Sequence, residues 1–220
     1  MDGPCSFEEL RGCLRSIEQV NRWTGAYGPG LAFFEDLLPK LRALGRPVRV
    51  LDVGSGYGDL LRRLARWAQK VGLEVELVGV DLNADAVRAA KDATPGGVAQ
   101  FFVGDAFGFD LGPGMDVIMC SLLTHHLEDA TIVDLLRWME LHAGVGWFVN
   151  DLHREQVPYY FFKWASWWMP WHSFVKHDGP ISILRSFRRA DWASLLGRAG
   201  NVAAEIHAVR PARLCVTRQK

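Results

Sequence analysis

The spacing of apolar side chains changes twice along this chain, and each change marks a different kind of structure. Near the amino terminus, apolar residues recur three or four positions apart, which predicts a helix over 6–20. A turn-rich break is expected at 21–30. A second helix is predicted over 31–44, with interruption at Pro39 left open.

From residue 48 onwards, short apolar runs alternate with helical patterns. The run VRVLDVG at 48–54 is rich in β-branched residues, as expected of a strand buried on both faces. Parallel strands need a crossover connection, so the alternation predicts an α/β fold with helices on both faces of a parallel sheet. Further strands are predicted at 75–81, 99–105, 115–121 and 145–151, with helices at 58–71, 84–93 and 129–142.

The pattern changes again after Asp151. Nine aromatic residues fall within the nineteen positions 157–175. Beyond them, the sequence predicts a helix at 188–199 and two closing antiparallel strands at 202–209 and 213–218. No internal repeat or linker divides the 220 residues, which suit one domain. Its parts are N-terminal helices at 1–46, a cofactor-binding core at 47–151, an aromatic segment at 152–187, and a closing helix and strands at 188–220.

Composition narrows the classes of function. The chain has 25 basic and 25 acidic residues, and this balance argues against a strongly cationic surface for nucleic acid. Four scattered cysteines without a CxxC pair indicate a reduced, cytoplasmic protein. The start, MDGPCSFEEL, lacks the basic and apolar regions of a signal peptide. The histidines and acids lack the spacing of a zinc motif, so no metal is expected.

A glycine-rich turn carries the first chemical signal. The segment VLDVGSGYGD at 50–59 leads from a buried strand through three glycines into a helix. Ligands of α/β sheets bind at such strand ends, and Gly54 and Gly56 leave room for a ligand against the backbone. A dinucleotide turn has its third glycine one residue later, and Asp59 would repel a pyrophosphate. Asp52 better matches a cationic ligand such as S-adenosylmethionine, although a tight turn without a ligand is the alternative.

The next strands also end in polar residues. Asp81 follows the second strand, where a carboxylate can accept hydrogen bonds from both hydroxyls of a ribose. Asp81 or Asn83 could instead cap the following helix. Asp105 ends the third strand and suits the amino group of an adenine. The fourth strand ends near Cys120 and Ser121, beside the amino-acid end of such a ligand.

In this order, VLDVGSGYG, VGVD, VGDAF and DVIMCSLLTHHL resemble the motifs of class I S-adenosylmethionine-dependent methyltransferases. The resemblance implies a Rossmann-like sheet of seven strands whose last strand is antiparallel. The double histidine looks like the small-molecule branch, including quinone-biosynthesis enzymes, and the segments at 150–154 and 177–187 look like methyltransferases of phenolic polyketide pathways. The cofactor-binding residues implied are Asp52, Gly54, Ser55, Gly56, Asp81, Leu82, Asp105, Ala106, Cys120 and Ser121.

Methyl transfer requires that donor and acceptor be held in line, and a phenolic acceptor with an ordinary pKa near 10 benefits from a base. Histidine suits that role. His125 and His126 follow the fourth strand, and Asp151 and His153 follow the fifth, so the sequence places a base and its orienting acid at one edge. Each histidine could instead be a helix cap or a buried hydrogen-bonding group. Cys120 is expected to pack rather than to act as a nucleophile.

The aromatic segment at 157–175 is too interrupted by polar residues to span a membrane. Three interpretations stay open: a core helix, an interfacial helix in peripheral contact with a membrane, and a lid over an apolar acceptor, which is favoured. Trp23 and Tyr27 of the N-terminal helices would form the opposite wall. The predicted substrate-binding residues are Tyr27, Tyr160, Trp164, Trp167, Trp171 and His172.

The favoured hypothesis is methylation, at oxygen, of a small hydroxylated aromatic or polyketide-like acceptor. Methylation at carbon of a quinone or phenol precursor needs the same base and pocket. A non-catalytic protein that binds S-adenosylmethionine is a further alternative. A nicotinamide oxidoreductase is disfavoured by Asp59, and the oligomeric state stays open.

Overall fold

The structure, a computed structural model, describes residues 6–155, 181–200 and 203–220. The strands described are β1 (Val48–Val53), β2 (Val75–Asp81), β3 (Gln100–Val103), β4 (Met115–Ser121), β5 (Ala143–Leu152), β6 (Glu205–Val209) and β7 (Arg213–Gln219). The longer helices described are α1 (Phe7–Trp23), α2 (Gly28–Ala43), α3 (Asp59–Val71), α4 (Ala84–Ala93), α5 (Asp129–His142) and α6 (Arg189–Ala199).

The seven described strands form one sheet in the order β3-β2-β1-β4-β5-β7-β6. Strand β7 runs antiparallel to β5 and β6, whereas β1 to β5 pair in parallel. The predicted seven-stranded α/β fold with an antiparallel last strand is therefore confirmed. Strand β3 is shorter than the predicted 99–105, because Gly104 and Asp105 already turn the chain into a short 3₁₀ helix, Ala106–Gly108.

The N-terminal helices differ from the prediction at their junction. A reciprocal cap begins α1: the Ser6 hydroxyl accepts from the Glu9 amide at 3.3 Å, and the Glu9 carboxylate accepts from the Ser6 amide at 2.9 Å. The break predicted at 21–30 is only residues 24–27, because Pro29 lies in the first turn of α2, where its missing N–H is not needed. Helix α2 continues through Pro39.

The central strands are buried on both faces, as predicted from VRVLDVG. Leu51 and Ile118 pack with the apolar side chains of α5 and α6, while Val50 and Val117 pack with those of α2 and α3. All four side chains are fully buried. Dense packing on both faces fixes the carboxyl ends of the parallel strands at one edge, where the predicted polar residues lie.

The predicted aromatic segment at 157–175 lies outside the described residues, so its three interpretations stay predictions. Among the helices that the structure describes, none is long and apolar enough to cross a membrane.

Candidate active site

The order of the sheet reverses at β1, with β2 and β3 on one side and β4 and β5 on the other. Ligands of open α/β sheets bind at this reversal, beyond the carboxyl ends of the strands. The glycine turn lies there, and Gly54 and Gly56 have positive φ angles of 70° and 49°. A Cβ at Gly54 would come within 2.9 Å of Leu123 Cδ2, whereas one at Gly56 would meet nothing within 4 Å. Gly54 therefore packs against Leu123, and Gly56 borders open space that a ligand can enter.

Asp52, at the end of β1, is a buried carboxyl group that is incompletely paired. It is 3% exposed, and its Oδ1 has no hydrogen-bond partner among the described residues. The same holds for the hydroxyl of Ser55 in the turn. Burial raises the pKa of Asp52 well above its usual range, and the nearby carboxylates of Asp59 and Asp81 raise it further. Since an unpaired buried charge is costly, a cationic ligand group would be favoured here.

The carboxylate of Asp81 braces the glycine turn. Its Oδ2 accepts from the Gly56 amide at 2.8 Å, and its Oδ1 accepts from the Asn83 amide at 2.9 Å. Asn83, and not Asp81, is the N-cap of α4. Each carboxylate oxygen has a second acceptor site, so the ribose interaction predicted for Asp81 is compatible with this brace. The neighbouring Leu82 is 75% exposed and presents an apolar side chain at the same edge.

Asp105 lies one strand further along the edge, as Asp81 pairs with Val103 at the end of β3. Its Oδ1 accepts from the Phe107 amide at 3.1 Å and caps the 3₁₀ helix. Asp105 is exposed, whereas Ala106 is buried. The acids predicted for ribose and adenine therefore lie after neighbouring strands.

On the other side of the reversal, Cys120 and Ser121 end β4. Cys120 is fully buried, and burial raises the pKa of its thiol, as do the carboxylates of Asp151 and Asp52. A protonated, buried thiol is a packing group and a poor nucleophile. The Ser121 hydroxyl accepts from Asn150 Nδ2 at 2.9 Å, which joins the ends of β4 and β5.

A buried histidine–aspartate pair lies at the carboxyl edge, with His125 after β4 and Asp151 near the end of β5. His125 Nδ1 lies 2.7 Å from Asp151 Oδ1, and the His125 amide donates to Asp151 Oδ2 at 3.0 Å. The Thr124 hydroxyl donates to the same Oδ2, and the Leu152 amide donates to Oδ1 at 2.7 Å. Burial alone would raise the pKa of Asp151, but His125 and these donors hold it below its usual range. Asp151 is thus an ionised carboxylate that orients the His125 ring.

The other two predicted histidines have different surroundings. The sequence left open which histidine meets Asp151; the structure pairs Asp151 with His125, while His153 Nδ1 lies 2.9 Å from Glu155 Oε1. His126 is exposed, with its ring centroid 4.1 Å from that of His125. No group of three or more His, Cys, Asp or Glu side chains arranged for a metal occurs among the described residues.

The turn between α1 and α2 closes one side of this edge. The Tyr27 hydroxyl donates to Asp59 Oδ2 at 2.6 Å, and burial and the Asp59 carboxylate raise the pKa of Tyr27. Trp23, by contrast, is 74% exposed. Tyr27 thus ties the N-terminal helices to the start of α3, beside the glycine turn. The other predicted substrate-binding residues lie outside the described residues: Tyr160, Trp164, Trp167, Trp171 and His172.

Known proteins share this fold. Residues 50–146 match the family model of the methyltransferase domain. Among solved structures, a plantazolicin methyltransferase in complex with S-adenosylhomocysteine and a desmethyl analogue superposes with a TM-score of 0.63 and 14% identity, over 96% of this chain and 95% of that one. The protein is an S-adenosylmethionine-dependent methyltransferase.

Two further structures align with this methyltransferase over part of their own length. A candidate O-methyltransferase from Nostoc punctiforme PCC 73102 has a TM-score of 0.57 and 19% identity, over 84% of this chain and 56% of that one. The CMeT domain of the citrinin polyketide synthase has a TM-score of 0.55 and 18% identity, over 79% of this chain and 46% of that one. This methyltransferase thus spans about half the length of each.

The residues at the carboxyl edge of this methyltransferase fit its cofactor, S-adenosylmethionine. The unpaired Asp52 Oδ1 and Ser55 Oγ are acceptors suited to an ammonium group, and Gly56 leaves space beside them. Asp81 has acceptor sites for a ribose. When bound, the cofactor supplies a methyl carbon that is activated by positively charged sulfur.

The sequence analysis missed three polar residues at this edge of the methyltransferase. The Thr124 hydroxyl donates to Asp151, and Asn150 Nδ2 donates to Ser121 Oγ. Arg213 is 4% exposed at the start of β7. Thr124 and Asn150 each adjoin a predicted site residue, a signal that could have identified them. Arg213 lies 62 positions after Asp151, since 213 − 151 = 62, and only the sheet brings β7 beside β5.

Proposed function

We propose that this enzyme methylates a hydroxyl oxygen of a small, apolar aromatic or polyketide-like acceptor, with His125 as the general base. The observation that supports the proposal is the buried contact between His125 and Asp151, 2.7 Å from Nδ1 to Oδ1. A carboxylate at Nδ1 favours the tautomer with the proton on Nδ1. Nε2 is then the basic nitrogen that takes a proton from the acceptor.

Two groups of residues with different proposed roles lie at different places along the carboxyl edge of the sheet. Asp52 and Asp81 would hold the donor from β1 and β2. His125 lies after β4, and Asp151 lies near the end of β5. His125 Nε2 would take the proton of the acceptor hydroxyl as its oxygen is methylated. The cofactor, when bound, would supply the methyl group and leave as S-adenosylhomocysteine. Asp151 stabilises the imidazolium that results, because its own pKa is held low.

The acceptor class rests on the aromatic residues and on the neighbours. Nine aromatic residues in 157–175 would supply an apolar wall. Among the structural neighbours, one is named for O-methylation and another is a domain of a polyketide synthase. A hydroxylated aromatic acceptor would pack its ring against an apolar wall and give its hydroxyl proton to a base.

The buried thiols support a reducing environment. Cys120 and Cys215 are buried and not in a disulfide, and burial raises the pKa of the Cys215 thiol to about 12. Protonated, inaccessible thiols persist where disulfides do not form. We therefore propose a cytoplasmic location.

The test is turnover with S-adenosylmethionine and a panel of phenols, naphthols and hydroxyanthraquinones, with products identified by mass spectrometry. We expect methyl ethers. His125→Gln should lower kcat by roughly 10²–10⁴-fold, the usual contribution of a general base, without changing the affinity for S-adenosylhomocysteine. His153→Gln is the matched control, because His153 contacts Glu155 rather than Asp151.

Methylation at carbon would overturn the choice of oxygen. Affinity for S-adenosylhomocysteine without turnover on any acceptor would indicate a binding protein. Equal loss of kcat in both histidine variants would contradict the assignment of His125 as the base.

A further inference from the structure

Arg213 is a buried cation that the methyl-transfer scheme above does not use. Its side chain is almost fully inaccessible, and Nη2 donates to the Thr24 hydroxyl at 3.3 Å. Nη1 is buried and has no hydrogen-bond partner among the described residues. A guanidinium offers five donors, so a single neutral partner at this distance leaves it poorly satisfied.

The carboxylate of Asp151 attracts Arg213, but its hydrogen bonds go to other groups. The acid that acts on it is Asp151, whose two oxygens already accept from His125, Thr124 and Leu152. Burial lowers the pKa of Arg213, and the attraction of the Asp151 carboxylate opposes this. Arginine nevertheless keeps its charge in proteins. A buried charge without a full partner is costly, so an anion that binds there would be stabilised.

The position of Arg213 separates it from the donor site. It opens β7, opposite Leu152 of β5, and β7 lies three strands away from β1 in the sheet. At roughly 4.8 Å between neighbouring strands, that is about 14 Å from the strand of Asp52. His125, which follows β4, and Asp151, near the end of β5, belong to the two strands between β1 and β7. An anion at Arg213 would therefore lie on the acceptor side of the base.

We propose that Arg213 and Thr24 bind a carboxylate of the acceptor, which makes the substrate a hydroxylated aromatic carboxylic acid. This inference rests on the proposed function, because it adds an anchor for the acceptor whose hydroxyl faces His125. The planar guanidinium matches a carboxylate with two parallel hydrogen bonds, and the Thr24 hydroxyl lies beside it. The other carboxylate available at this edge is the one on the methionine end of the donor.

Binding measurements on the full chain test the subsite without turnover. Calorimetry with the protein saturated in S-adenosylhomocysteine compares 2-, 3- and 4-hydroxybenzoic acid with their methyl esters. We expect the best acid to bind about tenfold or more tightly than its ester, as for a charge-assisted hydrogen bond. Arg213→Met should remove this preference and leave the affinity for S-adenosylhomocysteine unchanged. Arg213→Lys should keep part of it, since lysine keeps the charge without the planar fork.

The controls separate this subsite from the base and from the donor. Arg189→Met removes an arginine that donates to the Ile206 carbonyl, and it should keep the preference for acids. His125→Gln should also keep it, so a failure of the proposed base does not hide the subsite. Equal binding of acids and esters by the wild-type protein overturns the proposal. The proposal is also overturned if Arg213→Met weakens the binding of S-adenosylhomocysteine as much as that of the acids. Arg213 would then bind the carboxylate of the donor rather than that of the acceptor.

Discussion

His125 Nδ1 and Asp151 Oδ1 lie 2.7 Å apart although 26 positions separate the two residues in the chain. The pairing of β4 with β5 explains the contact, since Ser121 at the end of β4 lies opposite Asn150, and Asp151 is the next residue of β5. Leu122 has a φ of 57°, a left-handed backbone conformation that residues other than glycine rarely adopt. It turns the chain directly after β4, and Thr124 and His125 then both contact Asp151.

Because Asp151 accepts several buried hydrogen bonds, we expect its neutralisation to lower the stability of the fold. Asp151→Asn should lower the free energy of unfolding at pH 7 by about 1–3 kcal/mol, because buried donors lose their charged acceptor. The pKa of Asp151 is below its ordinary value of 3.8 in the folded protein, so its contribution is present above that value and is lost as the pH falls through the folded pKa. Urea unfolding at several pH values should show the gap between wild type and variant closing below pH 3.8.

For Asp52, whose Oδ1 has no partner among the described residues, we expect neutralisation to change the free energy of unfolding in the opposite direction. Its pKa is raised well above 3.8 in the folded protein, so the ionised form destabilises the fold, and this cost disappears as the pH falls through the folded pKa. Asp52→Asn should therefore raise the free energy of unfolding of the ligand-free protein at pH 7 and weaken S-adenosylhomocysteine binding. Such a trade between stability and function is common at binding sites. A variant that is less stable at pH 7 would contradict the geometry of an unpaired carboxyl group.

The sequence predicted most of the fold, because the central strands and helices have strong apolar patterns. Strands β2 and β4 and helix α4 begin and end at the predicted residues, 75–81, 115–121 and 84–93. The length of the junction between α1 and α2 was overestimated, at 21–30 instead of 24–27. The glycine and proline residues of this segment lie at the ends of helices rather than in a long loop.

The candidate site was predicted less completely, since sequence order does not show which side chains meet. The sequence placed the histidines and Asp151 at one edge without showing which histidine meets the acid, and the pairing of β4 with β5 brings His125 to it. Arg213 gave no signal at all, because a short closing strand carries no motif and only the pairing of β5 with β7 buries it. Local motifs thus predicted the residues proposed for the donor, and the pairing of distant strands brings together those proposed for the acceptor.

Asp81 offers a test that separates bracing of the turn from capping of α4. Asp81→Ala removes the acceptor of the Gly56 amide and the expected acceptor of the ribose, each charge-assisted and worth roughly 1.5–3 kcal/mol. We expect weaker S-adenosylhomocysteine binding by calorimetry together with lower stability. Asn83→Ala is the control, because it removes only the cap of α4, worth about 1 kcal/mol. Equal affinities in the two variants would show that Asp81 does not contact the cofactor.

The glycine turn allows a sharper comparison, because the chain contains a second glycine with nearly the same backbone. Gly56 and Gly72 have φ angles of 49° and 67°, and a Cβ at either position would meet nothing within 4 Å. Gly56 faces the proposed donor, whereas Gly72 caps the far end of α3, which has 13 residues and so is about 20 Å long.

Alanine at either glycine should cost a similar amount of stability, about 1–2 kcal/mol for a left-handed residue with a side chain. A ligand that binds only the folded protein raises its melting temperature, so the shift produced by S-adenosylhomocysteine reports occupancy of the site. We expect Gly72→Ala to keep this shift in full and Gly56→Ala to lose most of it, because the new methyl group occupies space that the ligand needs. If both variants keep the wild-type shift, the open space at Gly56 is not where the cofactor binds.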